Sequence, residues 1–86
     1  MNNTKEKLNS REINLKLLTV GDQVKKLRKR KDFTQENFAE ALGISNMTMS
    51  RIENGITPMN IVILLKMSEI LEVSPEEILR INENNL

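Results

Sequence analysis

The 86-residue chain has no cysteine, histidine, tryptophan or tyrosine, and its aromatic content is two phenylalanines. Without cysteine there is neither a disulfide nor a thiolate metal site. Without histidine the commonest general base and the commonest transition-metal ligand are missing. There are three glycines and two prolines, and no glycine-rich phosphate loop. Carboxylates alone remain for acid–base work, and Glu76-Glu77 is better explained by helix capping. The expectation is that the chain is not an enzyme and carries no cofactor or metal. Long apolar runs are also missing. The longest, Ile61 to Leu65, is far too short to span a bilayer, and MNNTKEKLNS lacks the apolar core of a signal peptide. No membrane partner is expected, and cytoplasmic residence is the default.

What remains is the material of one small helical domain. The net charge is only +1, but it is unevenly spread. Residues 21–31 carry Lys25, Lys26, Arg28, Lys29, Arg30 and Lys31 against Asp22 alone, a net +5. Residues 60–86 carry two cations against five carboxylates, a net −3. A basic start and an acidic end suit a chain whose basic side meets phosphate.

Residues 34–55, TQENFAEALGISNMTMSRIENG, are the most informative stretch. Thr34 is a good N-cap, and Phe38, Ala39 and Leu42 follow at helical spacing. Gly43 suits the positive φ that ends many helices, and Ser45 can cap a new helix two residues later. In that helix Met49 and Ile52 make a narrow inward stripe, and Asn54-Gly55 closes it. Ala39 sits where the two helices would cross, and its small side chain permits close approach. The second helix is left with a polar face that has little structural purpose.

The flanking segments read as further helices. Thr19 with Asp22 is a plausible cap for a first helix over residues 20–33, in which Val20, Val24 and Leu27 point inward and Phe33 anchors the following turn. Asn60 can cap a fourth helix, with Ile61, Leu64, Leu65, Ser68 and Leu71 expected on its inward face. Ser74-Pro75-Glu76-Glu77 is a strong helix start, and Ile78, Leu79 and Ile81 supply the last apolar contacts. The five methionines are dispersed and read mainly as packing. Residues 1–18 are an N-terminal arm whose form the sequence leaves open, and MNNTKEK is polar. Ile13 to Leu17 alternates apolar and polar, a strand pattern with no sheet to join. It could pair with a second copy, pack as an extended arm or form an extra helix.

Residues 34–55 resemble the helix-turn-helix of the phage repressor and Cro family, whose second helix enters the DNA major groove. Residues 20–33 and 60–79 resemble that family's first, fourth and fifth helices. The resemblance implies an all-α, five-helix repressor-like domain over residues 19–81, with residues 82–86 as a tail. It implies a sequence-specific regulator of transcription that binds double-stranded DNA, a repressor acting as a homodimer on an operator, with a protein regulator as a further possible partner. The runner-up is an antitoxin-like or other protein-interaction module on the same fold. By position in the family, Ser45, Asn46, Met47, Ser50 and Arg51 would face base edges, with Asn46 suited to adenine, Arg51 to guanine and Met47 to a thymine methyl. Gln35, Thr48 and Asn54 match phosphate-contacting positions, and Lys25 joins them on charge. Arg28 and Glu53 match an ion pair that ties the first helix to the third. Val62, Ile63 and Pro75 are the expected dimer contact, because Ile63, Met67 and Ile70 give the fourth helix a second apolar stripe. The competing cover for Val62 and Ile63 is residues 13–18 of the same chain.

Overall fold

In the computed structural model, residues 9–80 are described, and they form five helices and no strand. These are α1 (Ser10–Arg30), α2 (Gln35–Leu42), α3 (Asn46–Glu53), α4 (Ile61–Leu71) and α5 (Pro75–Ile78). Four of the five starts follow the capping residues read from sequence. The backbone N–H of Asn37 donates to Thr34 Oγ1 at 3.0 Å and that of Thr48 to Ser45 Oγ at 3.0 Å. Ile63 N–H donates to Asn60 Oδ1 at 2.9 Å and Glu77 N–H to Ser74 Oγ at 3.2 Å. Gly43 ends α2 at φ +76°.

The start of α1 differs from expectation. The alternation Ile13 to Leu17 is not a strand, and Thr19 caps nothing. The helix begins at Ser10, where Asn9 Oδ1 accepts from the N–H of Arg11 at 2.9 Å, and it runs unbroken across the boundary expected at residue 18. Thr19 lies inside it, with its hydroxyl donating to the Leu15 carbonyl at 3.0 Å. Two physical reasons decide this. Ile13, Leu17, Val20, Val24 and Leu27 also recur at alternating spacings of four and three, so Ile13 and Leu17 suit a helical stripe as well as a strand, and Leu15 is left exposed. Adding turns to an existing helix avoids the costly nucleus, whereas a lone strand leaves its backbone unpaired.

Eleven buried apolar residues make one core, drawn from all five helices: Val24, Leu27, Phe38, Ala39, Leu42, Met49, Ile52, Leu64, Met67, Leu71 and Ile78. Phe33 packs on Phe38 with ring centroids 5.4 Å apart. The face of α4 is turned from the expected one. Leu64, Met67, Ser68 and Leu71 point inward, whereas Ile61 and Leu65 are 64% and 48% exposed. The inward arc is centred between Leu64 and Met67, bordered on one side by the half-buried Ile63 and Ile70 and opposite Lys66 and Glu69. Leu79 is exposed, unlike its buried neighbour Ile78, and the expected contact of Ile81 lies outside the described residues.

Elsewhere Gln23 of α1 donates through Nε2 to the Glu77 carbonyl at 3.0 Å, joining α1 to α5. Lys31 pairs with Glu72, the left-handed residue that ends α4, and its hydrogen bond and positive charge hold the Glu72 carboxyl below its ordinary pKa. No helix among the described residues is long and apolar enough to cross a membrane.

Two glycines permit the close approach of α1 to α3. A Cβ at Gly21 would lie 2.6 Å from the Glu53 carbonyl oxygen, against backbone that has no room to move. Gly55 adopts φ +72° and abuts the Leu18 backbone. Gly21→Ala is expected to cost about 1–3 kcal/mol by overpacking, whatever it gains in helix propensity. Urea denaturation would check this, with a midpoint at or above the parent's counting against the tight α1–α3 contact.

Candidate nucleic-acid interface

The third helix is short, and its eight residues divide cleanly. Met49, Ile52 and Glu53 are buried. Met47, Ser50, Arg51 and Asn54 recur at i, i+3, i+4 and i+7, so they share the opposite face. Met47 is 63% exposed, an unusual position for a large apolar side chain with no core role. Arg51 is exposed and makes no ion pair with any described residue. Asn46 stands exposed at the first position of the helix. An α-helix with one outward polar face is of a width that the major groove admits.

The expected site residues do not all have the same freedom. Ser45 is committed to capping, because its hydroxyl accepts from Thr48 N–H and also donates to Thr48 Oγ1 at 2.9 Å. Thr48 is half-buried beside it. Asn54 caps the end of α3 and reaches back through Nδ2 to Ser50 Oγ at 3.4 Å. Gln35 opens α2 but is half-buried, and its Nε2 donates to Glu53 Oε1 at 3.1 Å. That bond makes Gln35 part of the support of α3. Lys25 is exposed on α1. Val62 is 56% exposed, while Ile63 packs partly against the chain's own core and Pro75 is half-buried at the start of α5. Residues 13–18 therefore do not cover Val62; they belong to α1.

Arg28 and Glu53 form the ion pair the resemblance implied, and both are buried. Arg28 Nε donates to Glu53 Oε2 at 2.6 Å and Nη2 to Oε1 at 3.2 Å. The third nitrogen, Nη1, donates to the Phe33 carbonyl at 2.8 Å. With Gln35 on Oε1, four groups from α1, the following turn, α2 and α3 meet at one point. A two-toothed guanidinium–carboxylate contact fixes angle as well as distance.

This pairing also reduces the basic charge that faces outward. Arg28 is neutralised in the interior, Lys26 pairs with Asp22 at 3.3 Å, and Lys31 pairs with Glu72. Lys25, Lys29 and Arg30 keep exposed ammonium or guanidinium groups without an ion-pair partner among the described residues. The N-termini of α2 and α3 add oriented N–H groups that favour an anion.

A model of the helix-turn-helix family matches residues 24–78. The chain belongs to the helix-turn-helix family of transcriptional regulators. Within the family, an uncharacterised HTH-type transcriptional regulator of Bacillus subtilis, YazB, is 36% identical over 58 residues, covering 67% of this chain and 84% of YazB. The restriction-modification controller protein C.AhdI from Aeromonas hydrophila has the same fold, with a TM-score of 0.71 and 26% sequence identity over 74% of this chain and 97% of that one. The antitoxin PezA of Streptococcus pneumoniae is 50% identical over 36 residues, which span 42% of this chain but only 23% of PezA. The family match begins inside α1, so residues 10–23 of that helix lie outside it.

Removing one partner of the buried pair should be costly. Arg28→Met leaves Glu53 charged, buried and short of donors, and is expected to cost about 3–5 kcal/mol. The double variant Arg28→Met with Glu53→Leu should recover much of that loss. Chemical denaturation of the two variants checks the coupling, and a double variant as unstable as the single one would contradict it.

Proposed function

We propose that the protein is a sequence-specific DNA-binding transcriptional repressor that occupies its operator as a symmetric homodimer. The observation that carries this reading is the outward stripe Met47, Ser50, Arg51 and Asn54 on a helix locked in place from behind. Apart from the Asn54 cap, such a stripe adds nothing to the core, and it suits the floor of a major groove. Arg51 is assigned to a guanine through N7 and O6, Asn46 to an adenine, and Met47 to a thymine methyl. Ser50 shares that face, Ser45 stands at the N-terminal end of α3, and Thr48 beside it is assigned to phosphate, the Ser45 and Thr48 hydroxyls being partly used on each other. Lys25 and Asn54 are assigned to phosphate, and Gln35 positions the α2 N-terminus toward phosphate while holding Glu53. Affinity comes from phosphate neutralisation and specificity from the base edges.

The dimer is placed on the apolar surface of α4. Ile61, Val62 and Leu65 project outward there, and Leu79 is exposed as well. Val62 lies at the edge of this surface, Ile63 supports it from within, and Pro75 is at the margin. A two-fold pair would present the two α3 helices to half-sites roughly 34 Å apart. The same exposed residues favour the second reading, an antitoxin-like contact with another protein, which the PezA similarity also suits.

Two expected outcomes test this. Against duplexes selected from random sequence, Arg51→Ala should lose roughly 1–3 kcal/mol on the preferred site and relax one base position. Lys25→Ala should weaken all sequences about equally. Titration of both variants across a site panel checks the division, and identical profiles would refute it. Val62→Glu should stay folded and sediment as a monomer where the parent is a dimer. A parent that is monomeric at all concentrations, yet binds a single half-site, would remove the homodimer from the account.

A further inference from the structure

The first two turns of α1 do more than lengthen a helix. Arg11, Asn14, Leu15 and Leu18 line an open groove together with Asn54 and Gly55. Asn54 belongs to the outward stripe of α3, so this groove continues that surface past the C-terminal end of the helix. The face of α1 that reaches it is set by the two close approaches already described. Gly21 meets the backbone of Ile52 and Glu53, and Leu18 meets Gly55. Asn14 and Arg11 follow one and two turns earlier on the same side. Eighteen residues are five full turns, so Arg11 and Lys29 share one azimuth, with Lys25 one turn before Lys29. That gives one face of α1 cations at both ends, about 27 Å apart. Arg11 is exposed and has no ion-pair partner among the described residues. Leu15 and Leu18 give the groove its apolar lining, and Asn14 and Asn54 add uncharged amides to it.

We infer that Arg11 and Asn14 form a further phosphate-binding site for the DNA backbone, beside the C-terminal end of α3 and outside the bases that helix reads. The inference rests on α3 being the groove-facing helix. Charge and continuity choose the occupant: an unpaired guanidinium and two asparagines line one groove, which suits a phosphodiester, and the groove adjoins the stripe assigned to DNA. The site lies on residues before the family match, so it would belong to chains with a lengthened first helix.

The test uses the full chain with a duplex selected from random sequence, in long-flank and short-flank forms, titrated over a salt series. Arg11→Ala and Arg11→Gln should each weaken binding to every long duplex and make the slope of log affinity against log salt shallower by about 0.9, the loss of one phosphate contact. Arg11→Lys should keep the parental slope, and Asn14→Ala should weaken binding less than Arg11→Ala. Trimming the flank should abolish the difference between parent and variants. Parental slopes in both Arg11→Ala and Arg11→Gln, with the parent binding normally, overturn this site alone. Altered sedimentation of those variants with unchanged salt slopes also overturns it, by giving the groove to a second copy. Failure of the parent itself to bind any duplex overturns both this site and the assignment of α3.

Discussion

The buried contact between Arg28 and Glu53 is the constraint on which the rest of the molecule depends. It joins the long first helix to the short third one, and it borrows the Phe33 carbonyl and the Gln35 amide to complete its hydrogen bonds. Among the described residues no buried side-chain polar atom is left without a partner. Two charges taken out of water gain little net stability even when well paired. Their use here is angular. The guanidinium plane sets the rotation of α3, and with it the direction in which Met47, Ser50, Arg51 and Asn54 point.

That constraint matters because α3 has few other supports. An eight-residue helix is marginal in isolation, and its orientation comes from packing. Met49 and Ile52 give it two core anchors. Gly21 lets α1 lie directly against its C-terminal carbonyls, and Ala39 lets α2 cross it closely. Each device uses a small or apolar side chain on the inner side, so the outer side stays free for polar chemistry. The basic surface is correspondingly modest. Half of the six cations in residues 21–31 are bound within the protein, and three remain for an external anion.

The parts of the fold that depend on local chemistry were legible in the sequence. Thr34, Ser45, Asn60 and Ser74 announce helix starts because a capping side chain needs only its own next turn. Gly43 and Gly55 announce ends because positive φ is costly for other residues. The buried ion pair was legible through resemblance, and no spacing rule would have produced it. Two elements differ from their sequence pattern for physical reasons. Helix α4 is apolar around most of its circumference, so periodicity alone does not choose which side faces in; the outward pair Lys66 and Glu69 was the usable signal. Residues 13–17 satisfy a strand period and a helix period at once, and only the continuation of the stripe into Val20, Val24 and Leu27 separates them. The role of Gln35 was obscured because its partner lies 18 residues away.

Of the surfaces whose chemistry folding does not consume, the outward face of α3 is the one assigned to base edges. Backbone chemical-shift mapping of the full chain, titrated with a duplex selected from random sequence, tests it most directly. The largest amide shifts are expected from Asn46 to Asn54 and at the start of α2, with the core of α5 unmoved. Shifts concentrated on Ile61 to Leu65, with α3 unchanged, would contradict it.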